Sequence, residues 1–134
     1  MNMFGLDTNV VLRLFVDDDP KQRQAALRFG AEIGRSHTVF VTLITLIELD
    51  WALRSNYGFD RRQVMVAIRK LLHTRGLFVE GHDIVVKALR FVEKNNADFA
   101  DALIACRSQS EECAVTYTFD QKAARKIPGM ELLT

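Results

Sequence analysis

Apolar residues follow two spacings along this chain. Short, tight runs read as strands: Met3 to Leu6, Thr38 to Val41, Gly76 to Val79, Ala114 to Thr118 and Glu131 to Leu133. Between them the apolar positions recur with helical period. Val10 to Phe15 forms a short helix, and Pro20 to about Arg35 a longer one that turns Ala25, Leu27, Phe29 and Ile33 inward and Lys21, Arg23, Arg28 and Glu32 outward. Leu43 to about Ser55 follows Thr42, a hydroxyl cap. Asp60 and Gln63 then form a capping box ahead of the stripe Val64, Ile68, Leu71 and Leu72. Asp83 to about Asn95 carries Ile84, Val85, Ala88, Leu89 and Val92, a further helix starts at Asp98, and Gln121 to Lys126 is the last. Strands alternating with helices predict an α/β fold: one domain over residues 1–134 with a mostly parallel central sheet of four or five strands covered on both faces. The first strand is expected to be buried and central.

Length and charge narrow the function classes. A chain of 134 residues, 49% hydrophobic and 26% charged, is an ordinary globular composition. A net charge of +1 gives no global pull toward nucleic acid or membrane, so any such binding is local. Cys106 and Cys113 lack clamp or framework spacing, His37, His73 and His82 lack metal-ligand spacing, and no apolar run is long enough to span a membrane. The reading is a reduced, cytoplasmic protein. Its most basic region holds Arg54, Arg61, Arg62, Arg69 and Lys70; this is either a solvated helix face or a surface for phosphate.

The acids carry the candidate chemistry. Asp7 follows the first strand and Asp120 follows the Ala114 to Thr118 strand, at the strand ends where open α/β sheets bind ligands. Asp98 and Asp101 stand three apart at a helix start, on one face. At 100° per residue, Asp50 lies beside Arg54 on a face that can be solvated, whereas Glu48 lies among Ile44, Thr45, Ala52 and Ser55 and is expected to face protein. Three of the acids also have a structural reading: Asp7 and Asp98 as helix caps, Glu48 as half of a salt bridge. If Asp7, Glu48, Asp101 and Asp120 converge, two like charges about 5 Å apart repel by roughly 3 kcal/mol at an effective dielectric of about 20. Such a cluster needs protons or cations, and oxygen-only ligands select hard divalent ions. The chemistry that follows is metal-assisted hydrolysis of a phosphodiester. Asn9 and Thr118 stand where they can hydrogen-bond ligand carboxylates or waters.

These residues, taken in order, resemble a known family. Asp7-Thr8-Asn9 after a strand, Glu48 within Thr45-Leu46-Ile47-Glu48-Leu49, the run Asp98-Phe99-Ala100-Asp101-Ala102-Leu103-Ile104-Ala105, and Thr118-Phe119-Asp120 are similar to the PIN domain, and more narrowly to VapC-type toxins of bacterial toxin–antitoxin pairs. The resemblance implies a three-layer α/β/α fold and a Mg²⁺- or Mn²⁺-dependent endoribonuclease held inactive by a cognate, VapB-like antitoxin. It places the metal on Asp7, Glu48, Asp101 and Asp120 with Asp98 as an auxiliary acid, and polar support on Asn9 and Thr118. It also implies a homodimer, and an antitoxin that wraps an apolar groove between the early helices. Two other classes remain: a protein-binding module whose acids are only caps and ion pairs, and a phosphatase or DNA nuclease using the same ions.

Overall fold

The computed structural model describes residues 1–134, and their backbone contacts fall into two units, Met1–Glu80 and Gly81–Thr134. The first unit runs β1 (Asn2–Gly5), α1 (Thr8–Arg13), α2 (Pro20–Ala31), β2 (His37–Val41), α3 (Leu43–Tyr57), α4 (Arg61–Leu72) and β3 (Leu77–Val79). β2 is the middle strand, parallel to β1 on one side (Phe4 opposite Val39) and to β3 on the other (Val39 opposite Leu77). Its alternation suits that place: His37, Val39 and Val41 are buried while Thr38 and Phe40 are partly covered. The expectation for the first strand is corrected here. β1 is an edge strand and all four of its residues are exposed; burial begins one residue later, at Leu6. Asn2 and Gly5 leave β1 with only two large apolar side chains.

α3 anchors this unit. Thr42 accepts a hydrogen bond from the Thr45 backbone N–H at 3.1 Å, and Gly58, at φ 69°, ends the helix in the left-handed region that glycine tolerates. Leu46, Leu49 and Leu53 are fully buried, each contributing about 2 kcal/mol relative to exposure. The two acids of this helix lie opposite to expectation. Asp50 lies beside Arg54 as read and takes two hydrogen bonds from it, but on a buried face, 3% exposed, while Glu48, read as facing protein, is exposed, with Ile44 and Ser55 exposed and Thr45 and Ala52 buried around it. α4 matches its pattern, with both halves of the Asp60–Gln63 capping box formed and Val64, Ile68, Leu71 and Leu72 buried. α2 does not. It stops at Ala31, only Ala26 is buried, Ala25 and Leu27 are exposed, and Arg23, read as outward, is half-buried and donates to the Arg13 carbonyl at 2.9 Å. Gly34 and Gly76 cross so closely that a Cβ on Gly76 would stand 2.6 Å from the Gly34 Cα.

The second unit runs α5 (His82–Asn95), α6 (Phe99–Ser110), β4 (Thr116–Thr118), α7 (Gln121–Lys126) and β5 (Met130–Leu132). α5 and α6 pack together, burying Val85, Ala88, Leu89 and Val92 from one and Phe99, Ala102, Leu103, Ala105 and Cys106 from the other. β4 pairs parallel with β5, Tyr117 opposite Glu131. The Asn95 side chain donates to the Lys126 carbonyl at 2.9 Å and Lys126 Nζ to the Asn96 carbonyl at 3.2 Å, tying the end of α5 to α7. All five strands pair in parallel as expected, in hydrogen-bonded sheets of three and two. β4 is shorter than its apolar run and is not buried: Tyr117 is exposed and both flanking threonines are half-exposed. No helix is long and apolar enough to cross a membrane.

Candidate metal centre

In the first unit the turn out of β1 distributes three polar side chains among different tasks. Asp7, with extended backbone at φ −83° and ψ 172°, caps α1: its Oδ1 accepts from the Val10 N–H at 3.1 Å, and Oδ2 takes no part in the cap. Thr8, the first residue of the helix, faces α3 and donates from Oγ1 to Glu48 Oε1 at 2.6 Å. Asn9 is exposed. Asp7, Thr8, Asn9 and Glu48 line a groove of about 730 Å³ between α1 and α3 that continues past Trp51 to Tyr57. Beside its far end Asp18 binds Arg13 at 3.2 Å and accepts a hydrogen bond from the Tyr57 hydroxyl, a bond that raises the Tyr57 pKa. The Asp17-Asp18-Asp19-Pro20 loop thus holds both an ion pair and a helix cap: Asp19 accepts from the Gln22 N–H at 3.1 Å.

In the second unit three acids are electrostatically joined. Asp98 caps α6, its Oδ2 accepting from the Asp101 N–H at 3.0 Å. Asp120 caps α7 through Oδ1, which accepts from Lys122 and Ala123 at 2.9 and 3.1 Å. Thr118 accepts from the Asp120 N–H at 3.0 Å, closing the turn that delivers this cap. Asp101 is half-buried, and its pKa is raised first by burial and then by the negative charges of Asp98 and Asp120. An acid pushed in that direction favours a proton or a cation beside it.

The basic candidates divide. Arg54 is committed to Asp50 through Nε–Oδ1 and Nη2–Oδ2 bonds of 3.0 Å each. Arg62 and Lys70 are exposed on α4, with Arg61 and Arg69 half-buried beside them. Sequence reasoning passed over two features: the Thr8 bond to Glu48 and the Tyr57–Asp18–Arg13 cluster. Both join residues about forty positions apart, and only the placement of Thr8 in the Asp-Thr-Asn triplet hinted at either.

The donors suit a hard cation. They are carboxylates only, and Asp101 bears the repulsion such an ion relieves. No three His, Cys, Asp or Glu side chains form a ready-made cage.

This chain belongs to the PIN domain family, whose model matches residues 5–128 and so spans both units. PIN domains generally use divalent metal ions, and the seven helices and parallel strands are consistent with the three-layer α/β/α architecture. By sequence alone, no curated protein matches it. Among solved structures it is similar to VapC20 of Mycobacterium tuberculosis, described as a Sarcin-Ricin loop cleaving toxin: 19% identity, 93% of this chain and 95% of that one, TM-score 0.43. A toxin–antitoxin complex from Klebsiella pneumoniae matches at 21% identity over 98% and 96%, TM-score 0.35. VapBC2 from Rickettsia felis, bound to a DNA fragment from its promoter, matches at 15% over 99% and 98%, TM-score 0.37. Scores this low transfer no residue roles; membership rests on the domain model.

Proposed function

We propose that this chain is a Mg²⁺- or Mn²⁺-dependent endoribonuclease, the toxin of a toxin–antitoxin pair, acting in the cytoplasm as a homodimer. The observation that carries the reading is the acidic group of the second unit, where Asp101 is pushed toward protonation by burial and by Asp98 and Asp120 in a chain of the PIN family. Asp7 and Glu48 supply the remaining acids. Asp7, Glu48, Asp101 and Asp120 would hold the metal, with Asp98 in support. A bound divalent ion supplies a water of lowered pKa and neutralises charge developing on the phosphate.

The chain's own residues prepare for this. The Asp7 and Asp120 caps each use one carboxylate oxygen, so capping fixes the side chain and leaves the second oxygen to a ligand. Thr118 fixes the turn of Asp120, and Asn9 stands exposed at the lip of the groove. Arg62, Lys70, Arg61 and Arg69 are the proposed phosphate contacts, with Arg54 a lesser one because Asp50 already holds it. The groove with Trp51, 60% exposed, suits an apolar segment of the antitoxin.

A second reading, a non-catalytic protein-binding module, is favoured by one observation: Asp7, Asp98 and Asp120 all serve as helix caps. Asp7→Asn separates the two, because asparagine caps as well as aspartate while carrying no charge. The nuclease reading expects the variant to fold normally and to lose both RNA cleavage and growth arrest. Cleavage that survives the substitution, or survives excess EDTA, refutes it.

A further inference from the structure

We infer that Thr8 is a positioning residue for the metal-binding carboxylate of Glu48. The inference rests on the nuclease reading above and extends it to a side chain that neither the acidic pattern nor the helix caps pick out.

Three observations carry it. Thr8 Oγ1 donates to Glu48 Oε1 at 2.6 Å across the packed pair α1 and α3, which leaves Oε2 as the oxygen not held by the hydroxyl. Glu48 is exposed on α3, where a glutamate left to itself samples many rotamers; a hydroxyl donor selects one. Thr8 is half-buried in the first turn of α1, and its β-branched side chain has few χ1 choices, so the helix that begins at Asp7 also aims the hydroxyl. The Asp7 cap and the Glu48 carboxylate are thereby set by consecutive residues of one turn.

The removal that keeps shape is Thr8→Val, which replaces the hydroxyl by a methyl group; Thr8→Ser keeps the donor. The probe is MnCl₂, titrated calorimetrically into the purified full chain without RNA. Expected is a loss of Mn²⁺ affinity of about 10- to 100-fold in Thr8→Val, the range seen when a partner of a metal ligand is removed, and a return to within a few-fold in Thr8→Ser. Thr8→Val should also raise the Mn²⁺ concentration for half-maximal RNA cleavage by a similar factor, with the rate recovering at saturating metal. Added to Glu48→Gln, Thr8→Val should cost nothing further, because the carboxylate it serves is gone. Mn²⁺ affinity unchanged in Thr8→Val, or a Thr8→Ser variant as impaired as Thr8→Val, or losses that add in the double variant, overturns the inference. If Thr8→Val fails to fold, the Thr8→Ser arm decides, since wild-type-like affinity there supports the donor and a full loss refutes it. Failure of the wider reading looks different: the parent chain itself then binds no Mn²⁺, and both proposals fall.

Discussion

The pair Asp50 and Arg54 gives the sharpest test of the packing. Asp50 is 3% exposed, and Arg54 meets it with two parallel bonds of 3.0 Å. Arg54→Met keeps the aliphatic stem and removes the charge, leaving a buried carboxylate unpartnered. Breaking a buried pair in this way typically costs about 3–5 kcal/mol. The Arg54 side chain is 35% exposed, so water partly reaches the vacated position, and we expect about 2–4 kcal/mol. For a chain of 134 residues each kcal/mol shifts the melting temperature by about 4 °C, so the fall should be roughly 8–16 °C. The chain has one tryptophan, Trp51, on the same helix, and its fluorescence through urea unfolding reads the change. The double variant Asp50→Leu with Arg54→Met removes both charges and should recover most of the loss, because an apolar pair of similar volume is often no less stable than a buried ion pair. A single variant within about 0.5 kcal/mol of the parent, the scatter of ordinary surface changes, would refute the burial argument.

Three further outcomes are expected. Asp101 has its pKa raised above the ordinary 3.8, so the fold penalises its ionised form: the penalty is absent below the unfolded value and reaches full size once pH passes the folded one. Asp101→Asn should therefore stabilise the metal-free protein at neutral pH, with the two melting curves converging on acidification, while RNA cleavage is lost. Replacing exposed Arg62 and Lys70 together by alanine should weaken RNA binding and lower its salt slope by about 1–2, read by anisotropy at several salt concentrations. Gly76→Ala should destabilise the chain by more than about 1 kcal/mol in thermal melts, since its Cβ meets the Gly34 backbone and Gly76 sits at φ +83°.

What could be read from the chain beforehand depended on how local the cause was. The α4 capping box and its stripe were legible because both are set by residues three or four apart, and α7 was legible to the residue. The roles of Glu48 and Asp50 were inverted because α3 is apolar nearly all round. Ile44 and Trp51 are exposed while Leu46, Leu49 and Leu53 are buried, so periodicity alone cannot say which face meets solvent. The same applies to β1, where an apolar run marked a strand but could not tell an edge from a centre. The acids themselves were legible as residue types after strands and at helix starts. That Asp7 and Asp98 cap helices was foreseen as one of two readings; Asp120, read only as an acid past a strand end like Asp7, is a cap too, and each cap accepts through a single carboxylate oxygen. The link from Thr8 to Glu48 was hidden by sequence distance.

The central claim is that this chain holds carboxylates where a divalent cation is needed to keep them ionised together. Side-chain carboxyl resonances followed by NMR from acid to neutral pH, with and without Mg²⁺, test it directly. The account predicts that Asp101 titrates above its ordinary value in the metal-free protein and shifts downward when Mg²⁺ is added. An Asp101 that titrates at its ordinary value and ignores Mg²⁺ would contradict it.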